Sequence, residues 1–257
     1  VGNSFANISG ENAVSGGFLA ALLAGFVAGY LVLGIKKLAD KLPESMEGIK
    51  PVLIYPLFGV LLIGVFMFAV NPTMAAINTG ITSFLNSMGG SSKILLGCIV
   101  AGMMSIDMGG PFNKAAYVFG TASIASGNYD VMAAVMIGGM IPPLAVALAT
   151  TFFKKKFTSE ERKSGVVNYI MGLCFITEGV IPFAAADPLR VIPSCVAGSA
   201  VAGGLSMLFG CTLRAPHGGI FVFPVVGNVV GYLIALAAGS LVGMLLLGVL
   251  KKDKVAE

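Results

Sequence analysis

Five apolar runs, each about as long as a bilayer is thick, constrain this chain more than any other feature of its sequence. A helix needs about 20 apolar residues to cross a hydrocarbon core about 30 Å thick. Only 11% of the 257 residues are charged, whereas a soluble domain carries about 25%. The sequence therefore predicts an all-α polytopic membrane protein. The runs are Ala13–Ile35, Pro51–Val70, Val131–Phe153, Val191–Leu213 and Gly231–Leu250.

Lysine clusters between the runs predict which ends face the cytoplasm, because cytoplasmic loops of membrane proteins are enriched in Lys and Arg. We therefore expect a cytoplasmic C-terminus and place Val1 outside. The clusters also account for the net charge of +4, which gives no indication of a nucleic-acid partner. They are Lys36, Lys37 and Lys41 after the first run, Lys154–Lys156 after the third, and Lys251, Lys252 and Lys254 after the last.

Two broken segments, residues 93–124 and 166–187, are predicted to be re-entrant hairpins. If Asn71 and Asp130 both lie outside, an even number of crossings must separate them, and the lysine clusters impose the same condition on the second segment. Glycine and proline interrupt both segments, and irregular backbone at this depth is tolerated only within protein or beside water. Two such interruptions are the sequence indication of a transporter's substrate site.

The stretch between the second run and the first hairpin is expected to leave the membrane. The run should end at Asn71 and Pro72, because proline disrupts the interior of a helix. The weakly amphipathic residues Ala75–Met88 are then expected to lie along the membrane surface.

Glu178 is the strongest candidate for a binding residue. It lies between apolar residues, and Gly179 and Pro182 interrupt the helix that would otherwise surround it. A carboxylate at mid-membrane depth costs about 2.5–3.5 kcal/mol on insertion scales, so it is retained where it faces a cavity or a partner. Glu178 is then a site for ligand hydroxyls, for a proton or for an ion. The alternative is a solvated carboxylate at a helix end near the interface.

Two other interruptions supply further candidates for substrate binding. Asn113 lies in a turn with Asp107 and Lys114, and its amide donors and acceptor suit a polyol. Asp107 and Lys114 serve equally well as ligand contacts or as a pair that holds the hairpin together. His217 is the single histidine, between Pro216 and two glycines, where a structural role and a ligand role are about equally expected.

Two more assignments concern the residues around Glu178 and the absence of known motifs. Thr177, directly before Glu178, is included among the substrate-binding candidates, and Asp187 and Arg190 are expected to form a structural pair. We find no Gly-rich phosphate loop, zinc motif or nucleophile elbow in the sequence, so we expect neither a cofactor nor a metal.

Three stretches together resemble the fructose-specific enzyme IIC component, the membrane permease domain of the bacterial phosphoenolpyruvate-dependent sugar phosphotransferase system. Each is moderately specific alone, and their occurrence in the same order gives the resemblance its strength. They are DMGGPFNKAAYVFG (Asp107–Gly120), ITEGVIPFAAADPLR (Ile176–Arg190) and RAPHGG (Arg214–Gly219).

The resemblance implies a single membrane-embedded enzyme IIC domain over residues 1–257 with the glucose-superfamily fold. Residues 1–92 would belong to a scaffold and residues 93–250 to a transport part. It implies a homodimer surrounded by lipid in the bacterial cytoplasmic membrane, which binds fructose or a related sugar and moves it inward. Family members have further spans upstream, so N-terminal spans are expected to be missing from this chain.

In this family, a phosphocysteine on a separate enzyme IIB domain phosphorylates the sugar, so the chain would be the membrane subunit of a sugar phosphotransferase. None of its own four cysteines is given that role. Glu178 matches the family's hairpin carboxylate, and His217 is compared with its histidine, although the surrounding sequence differs. The alternative function is a proton- or ion-coupled secondary transporter of a small polar solute, with Glu178 or Asp107 as the proton site.

Overall fold

The computed structural model describes residues 17–87 and 90–254, and these residues fold almost entirely into helices. The chain divides into two compact units, residues 1–86 and 87–257. The orientation predicted for Val1 and the first residues of the first apolar run lie outside the described residues. The assignment of the two parts to a scaffold and a transport part stays a prediction.

The first unit contains α1 (Gly17–Ala39) and α2 (Tyr55–Ser87). Pro72 lies inside α2, so the prediction that the helix ends there is wrong, and the residues after Ala75 continue the helix rather than form a separate segment. Proline removes one backbone donor, whereas ending the helix at Pro72 would leave the last four backbone carbonyls without helical partners. Continuing the helix is therefore the smaller loss.

The second unit is built around α5 (Asp130–Phe152). In the most apolar stretch of 18 residues of this helix, 94% of the residues are buried. This helix contacts α3, α6, α8 and α9. The remaining elements are α3 (Gly90–Ile106), α4 (Pro111–Ala125), α6 (Ser159–Leu173), α7 (Ile181–Ala186), α8 (Pro188–Leu208), β1 (Thr212–Leu213), β2 (Val226–Gly227) and α9 (Val229–Leu250).

Four described helices are long and apolar enough to cross a membrane, judged by length and composition. They agree with four of the five predicted runs to within a few residues, apart from the extension of α2, and the first run is not among them. The four spans cover Lys50–Ile77, Asp130–Phe152, Pro188–Leu208 and Val229–Leu250. The first of them begins in a π-helix over Lys50–Ile54, which leads directly into α2.

The first broken segment is a helical hairpin, here called hairpin 1, formed by α3 and α4 (residues 90–125). Lys93 Nζ pairs with Asp130 Oδ2 at 3.0 Å, so α3 begins beside the first residue of α5. The other helix of hairpin 1, α4, ends at Ala125, five residues before α5 begins. The start of α3 and the end of α4 therefore both lie near the first residues of α5.

The second broken segment, hairpin 2 (residues 159–186), approaches from the opposite end of α5. It begins seven residues earlier than predicted, because Thr158 and Glu161 form a capping box that starts α6 at Ser159. Its returning arm is short, a 3₁₀ turn over Thr177–Val180 followed by the six-residue α7. The two interruptions predicted from glycine and proline are therefore present, and their depth in a bilayer stays a prediction.

Charged residues place both ends of hairpin 2 at the end of α5 that carries the lysine cluster. Lys254 Nζ pairs with Glu161 Oε1 at 2.8 Å, and Lys251 Nζ pairs with Asp187 Oδ2 at 3.4 Å. Asp187 also accepts a hydrogen bond from Arg190 Nη1 at 3.0 Å, which confirms the predicted structural pair. Burial alone would raise the pKa of Glu161, but hydrogen bonds from the Lys254 side chain and the Thr158 backbone hold that pKa below its usual value.

The third polar interruption is a loop closed by two short strands. Thr212 and Leu213 of β1 pair antiparallel with Gly227 and Val226 of β2. Between the strands the chain makes a 3₁₀ helix over Gly219–Val225, and the Arg214–Gly219 stretch precedes it. This arrangement presents His217 as an exposed residue of the loop.

Candidate functional site

The turns of the two hairpins meet beside the middle of α5. Phe175 at the end of α6 packs against Gly139, and a Cβ at Gly139 would collide with its ring. Gly139 lies nine residues into α5, about 14 Å along a helix that rises about 1.5 Å per residue. The turns therefore lie beside the middle of α5 rather than at either of its ends.

The turn of hairpin 1 is held by Asp107. Its Oδ2 accepts from the backbone N–H of Phe112 at 2.6 Å, and its Oδ1 accepts from that of Asn113 at 3.0 Å. These amides belong to the first turn of α4, where backbone donors have no partner within the helix. A carboxylate is also stabilised by the dipole at this helix end. Asp107 is thus occupied in starting α4, a structural role that differs from the pairing with Lys114 considered from the sequence.

Asn113 and Thr177 join the two hairpins through a buried contact. Asn113 is 3% exposed, and its Nδ2 donates to the carbonyl of Met104 at 2.8 Å and to Thr177 Oγ1 at 3.5 Å. Thr177 is also buried. The Asn113 amide donor therefore fixes the end of α3 and the turn of hairpin 2, and contact with a ligand through this donor would compete with those bonds.

Glu178 faces the hairpin 1 turn with a carboxylate that is half exposed. Its Oε1 lies 3.9 Å from Lys114 Nζ, and the two side chains are 52% and 60% exposed. The same oxygen lies 2.9 Å from the position that a Cβ on Gly109 would take. Gly109 has φ +122°, which L side chains rarely adopt, so glycine provides both the turn and the space for the carboxylate.

Phe175 connects the His217 loop to the hairpins. Its ring centroid lies 5.1 Å from that of His217 and 6.4 Å from that of Tyr117 on α4. Phe175 has φ +63° and is 6% exposed. A left-handed non-glycine residue costs about 1–3 kcal/mol, and burial of the ring, which contributes about 1.5–3 kcal/mol, offsets this cost.

All six residues predicted for the site belong to this one region of the second unit. Asp107, Asn113 and Lys114 belong to hairpin 1, Thr177 and Glu178 to hairpin 2, and His217 joins them through the ring of Phe175. The structure leaves two charged groups half exposed, Glu178 and Lys114, and uses Asp107 and Asn113 as supports. Whether these residues bind a ligand stays a prediction.

Sequence reasoning missed Phe175 as part of the site, and it placed Gly109 in the hairpin 1 turn without its contact with Glu178. Gly109 was available as a signal, because two adjacent glycines before proline indicate an unusual turn. Phe175 gave no signal, because a phenylalanine in an apolar run is indistinguishable from a core or lipid-facing residue.

The arrangement is suited to binding a neutral, hydroxyl-rich molecule. The Glu178 carboxylate accepts hydrogen bonds from hydroxyl groups, and the Lys114 ammonium donates to hydroxyl oxygens. Hydrogen bonds to ionised groups are stronger than those between neutral groups. Among the described residues, no group of three or more His, Cys, Asp or Glu side chains is placed to hold a metal ion.

Comparison with known proteins gives consistent matches. The family model described as "Phosphotransferase system, EIIC" matches residues 2–198. The chain is 53% identical to the fructose-specific EIIABC component of Bacillus subtilis over 92% of this chain and 37% of that protein. It is also 53% identical to the fructose permease IIC component of Bacillus amyloliquefaciens, over 92% of this chain and 78% of that protein.

More distant organisms have similar proteins. The fructose-specific EIIB'BC component of Escherichia coli is 48% identical over 84% of this chain and 39% of its own length. The chain thus spans little more than a third of the multi-component relatives and about three quarters of the separate permease. No solved structure matches this chain.

Proposed function

Because this chain belongs to the phosphotransferase system EIIC family, we propose that it is the sugar-binding membrane part of a fructose permease that couples uptake to phosphorylation. The resemblance predicted from three motifs is confirmed by the family match, which includes the first two motifs. The observation that carries the proposal to specific residues is the half-exposed Glu178 carboxylate at the meeting point of two hairpins. Relatives named for fructose supply the substrate class.

In the proposed complex, fructose hydroxyls donate to Glu178 and accept from Lys114. A sugar that leaves one of these groups unpaired in a dehydrated pocket would lose about 1–3 kcal/mol of binding free energy for that group, which is the source of selectivity. The ring of His217 packs against that of Phe175 at an angle of 56°. His217 is exposed at the edge of this region, and its ring nitrogens are proposed to contact the bound sugar. Asn113 and Thr177 act by holding the two turns together.

The phosphoryl group is proposed to come from an enzyme IIB domain. Components with B in their names occur in one chain with the C component in several relatives. During transfer, the accepting sugar hydroxyl must lose its proton, and Glu178 is the acidic group of the site placed to receive it. The cytoplasmic side of this reaction, a cytoplasmic C-terminus and the homodimer implied by the resemblance belong to the same proposal.

Uptake by vesicles that contain the full-length permease tests the function. With phosphoenolpyruvate and the soluble phosphotransferase proteins inside, we expect labelled fructose to accumulate as fructose phosphate. Without those proteins, no accumulation is expected under a proton or sodium gradient. Accumulation of free fructose driven by an ion gradient would overturn the proposal in favour of a secondary transporter.

A further inference from the structure

Asn168 on α6 is a buried carboxamide whose polar atoms have no hydrogen-bond partner. The residue is 1% exposed, and neither Oδ1 nor Nδ2 is paired. Among the described residues, it is the one side chain with two buried polar atoms that lack a partner. Such a group destabilises a protein, and its presence in a folded chain calls for an explanation.

The neighbours of Asn168 on α6 show that its side chain lies on the face that packs against α5. Gly165 and Gly172, three residues before and four after, lie on the same face and pack closely against Thr150 and Leu144 of α5. The opposite face carries the exposed residues Val166, Val167 and Ile170. Asn168 therefore points into the second unit.

The carboxamide touches the turn that carries Glu178. A Cβ on Gly179 would collide with Asn168 Oδ1 and with Met171 Sδ. The amide oxygen is thus in contact with the backbone directly after Glu178, without a hydrogen bond.

We propose that Asn168 is a positioning residue for the sugar site, whose carboxamide hydrogen-bonds the backbone of the Glu178 turn when sugar binds. This inference rests on the proposed function. The amide is unpaired in the structure described here and paired in the bound form. It therefore favours the bound form by the difference in its hydrogen-bonding free energy between the two forms. A ligand shifts a conformational equilibrium only through such a difference.

The test compares Asn168→Leu with the wild-type full-length permease. Leucine has nearly the same size and removes both polar atoms. We expect the unfolding temperature of the sugar-free protein to stay the same or rise, because an unpaired buried group has been removed. The Kd for fructose, measured by calorimetry, is expected to rise about tenfold, as for the loss of a buried hydrogen bond.

Deoxyfructose analogues separate positioning from direct contact. Because Asn168 acts through the Glu178 turn, the variant should weaken by the same factor the binding of fructose and of each analogue that keeps the hydroxyl bound by Glu178. Ser240→Ala is the matched control, since Ser240 Oγ on α9 is also buried and unpaired. This control should keep the stability and leave the Kd for fructose unchanged.

Three outcomes would overturn the inference alone. Normal fructose binding by Asn168→Leu would show that the amide is only buried, and a lower unfolding temperature without sugar would show that it supports the free protein. A loss of affinity that disappears for an analogue keeping the Glu178-bound hydroxyl would show direct contact of Asn168 with the hydroxyl that this analogue lacks. Failure of the wild-type protein to bind fructose would instead overturn the proposed function, and the inference with it.

Discussion

Asp107 in hairpin 1 and Glu178 in hairpin 2 are both carboxylates that lie between apolar helices, with glycine and proline close by in sequence. Asp107 accepts two backbone hydrogen bonds at the start of α4. Glu178 is half exposed and lies 3.9 Å from the one ion-pair partner, Lys114, found for it within the described residues. The burial cost predicted for such residues is similar in both cases, so that cost alone does not separate a structural carboxylate from one available to a ligand.

The difference between the two carboxylates comes from the backbone around each of them. Six residues after Asp107 the chain is already helical, so unpaired amides of a helix start lie within reach of its short side chain. Glu178 lies inside a 3₁₀ turn and has a longer side chain, which extends toward Gly109 of the other hairpin. Substitutions in the two turns should therefore have opposite signatures in stability and in binding.

The largest effect is expected from Glu178→Gln. The neutral amide keeps the shape but loses the charge, and hydrogen bonds to charged groups contribute about 1.5–3 kcal/mol each. Fructose affinity measured by calorimetry should fall at least tenfold, with little change in unfolding temperature because the side chain is half exposed. Lys155→Gln, at the predicted cytoplasmic cluster, is the control and should bind normally. Wild-type affinity in Glu178→Gln would show that the pocket assignment is wrong.

Gly109→Ala should affect both turns. The positive φ of Gly109 makes a side chain strained by about 1–3 kcal/mol, and the new Cβ would lie 2.9 Å from Glu178 Oε1. Both the unfolding temperature and fructose affinity should fall. Gly127→Ala is a useful control, because Gly127 also has positive φ but nothing lies within 4 Å of its Cβ position. If the two variants bind fructose equally well, the contact between Gly109 and Glu178 is irrelevant to binding.

Asp107→Ala should mainly lower stability. It removes the side chain that accepts from two amides at the start of α4, and loss of such a helix cap costs about 0.5–2 kcal/mol. Thermal unfolding should detect this loss, while the affinity of the folded protein should fall less than in Glu178→Gln. An affinity loss as large as that of Glu178→Gln, at unchanged stability, would place Asp107 in the binding site after all.

The smallest effect on stability is expected from Lys114→Gln. An exposed ion pair contributes about 0–1 kcal/mol, and the 3.9 Å separation from Glu178 is long for a strong pair. The unfolding temperature should hardly change, whereas fructose affinity should fall by a few-fold because one hydroxyl donor is lost. Fructose affinity unchanged from wild type in Lys114→Gln would show that the ammonium group does not contact the sugar.

Much of the fold was predictable because membrane insertion depends on local composition. The apolar runs predicted three of the four candidate spans closely, and glycine with proline predicted both hairpins. The end of α2 was not predictable in this way, because an internal proline costs one backbone hydrogen bond and the helix nevertheless continues through Pro72. The start of hairpin 2 was also misplaced, since a charged stretch read as a loop contains the capping box of Thr158 and Glu161.

The sequence by itself determined a helical membrane protein with two broken hairpins, and it indicated the family and the carboxylates worth testing. These follow from hydropathy and from glycine and proline, whose effects act over a few neighbouring residues. Only the tertiary structure decided that Asp107 is hydrogen-bonded to the start of α4 while Glu178 is accessible. It also decided that Asn168 lies against the Glu178 turn without a hydrogen-bond partner. Those distinctions depend on contacts such as that of Asn113 with Thr177, 64 positions apart, which no local pattern in the sequence specifies.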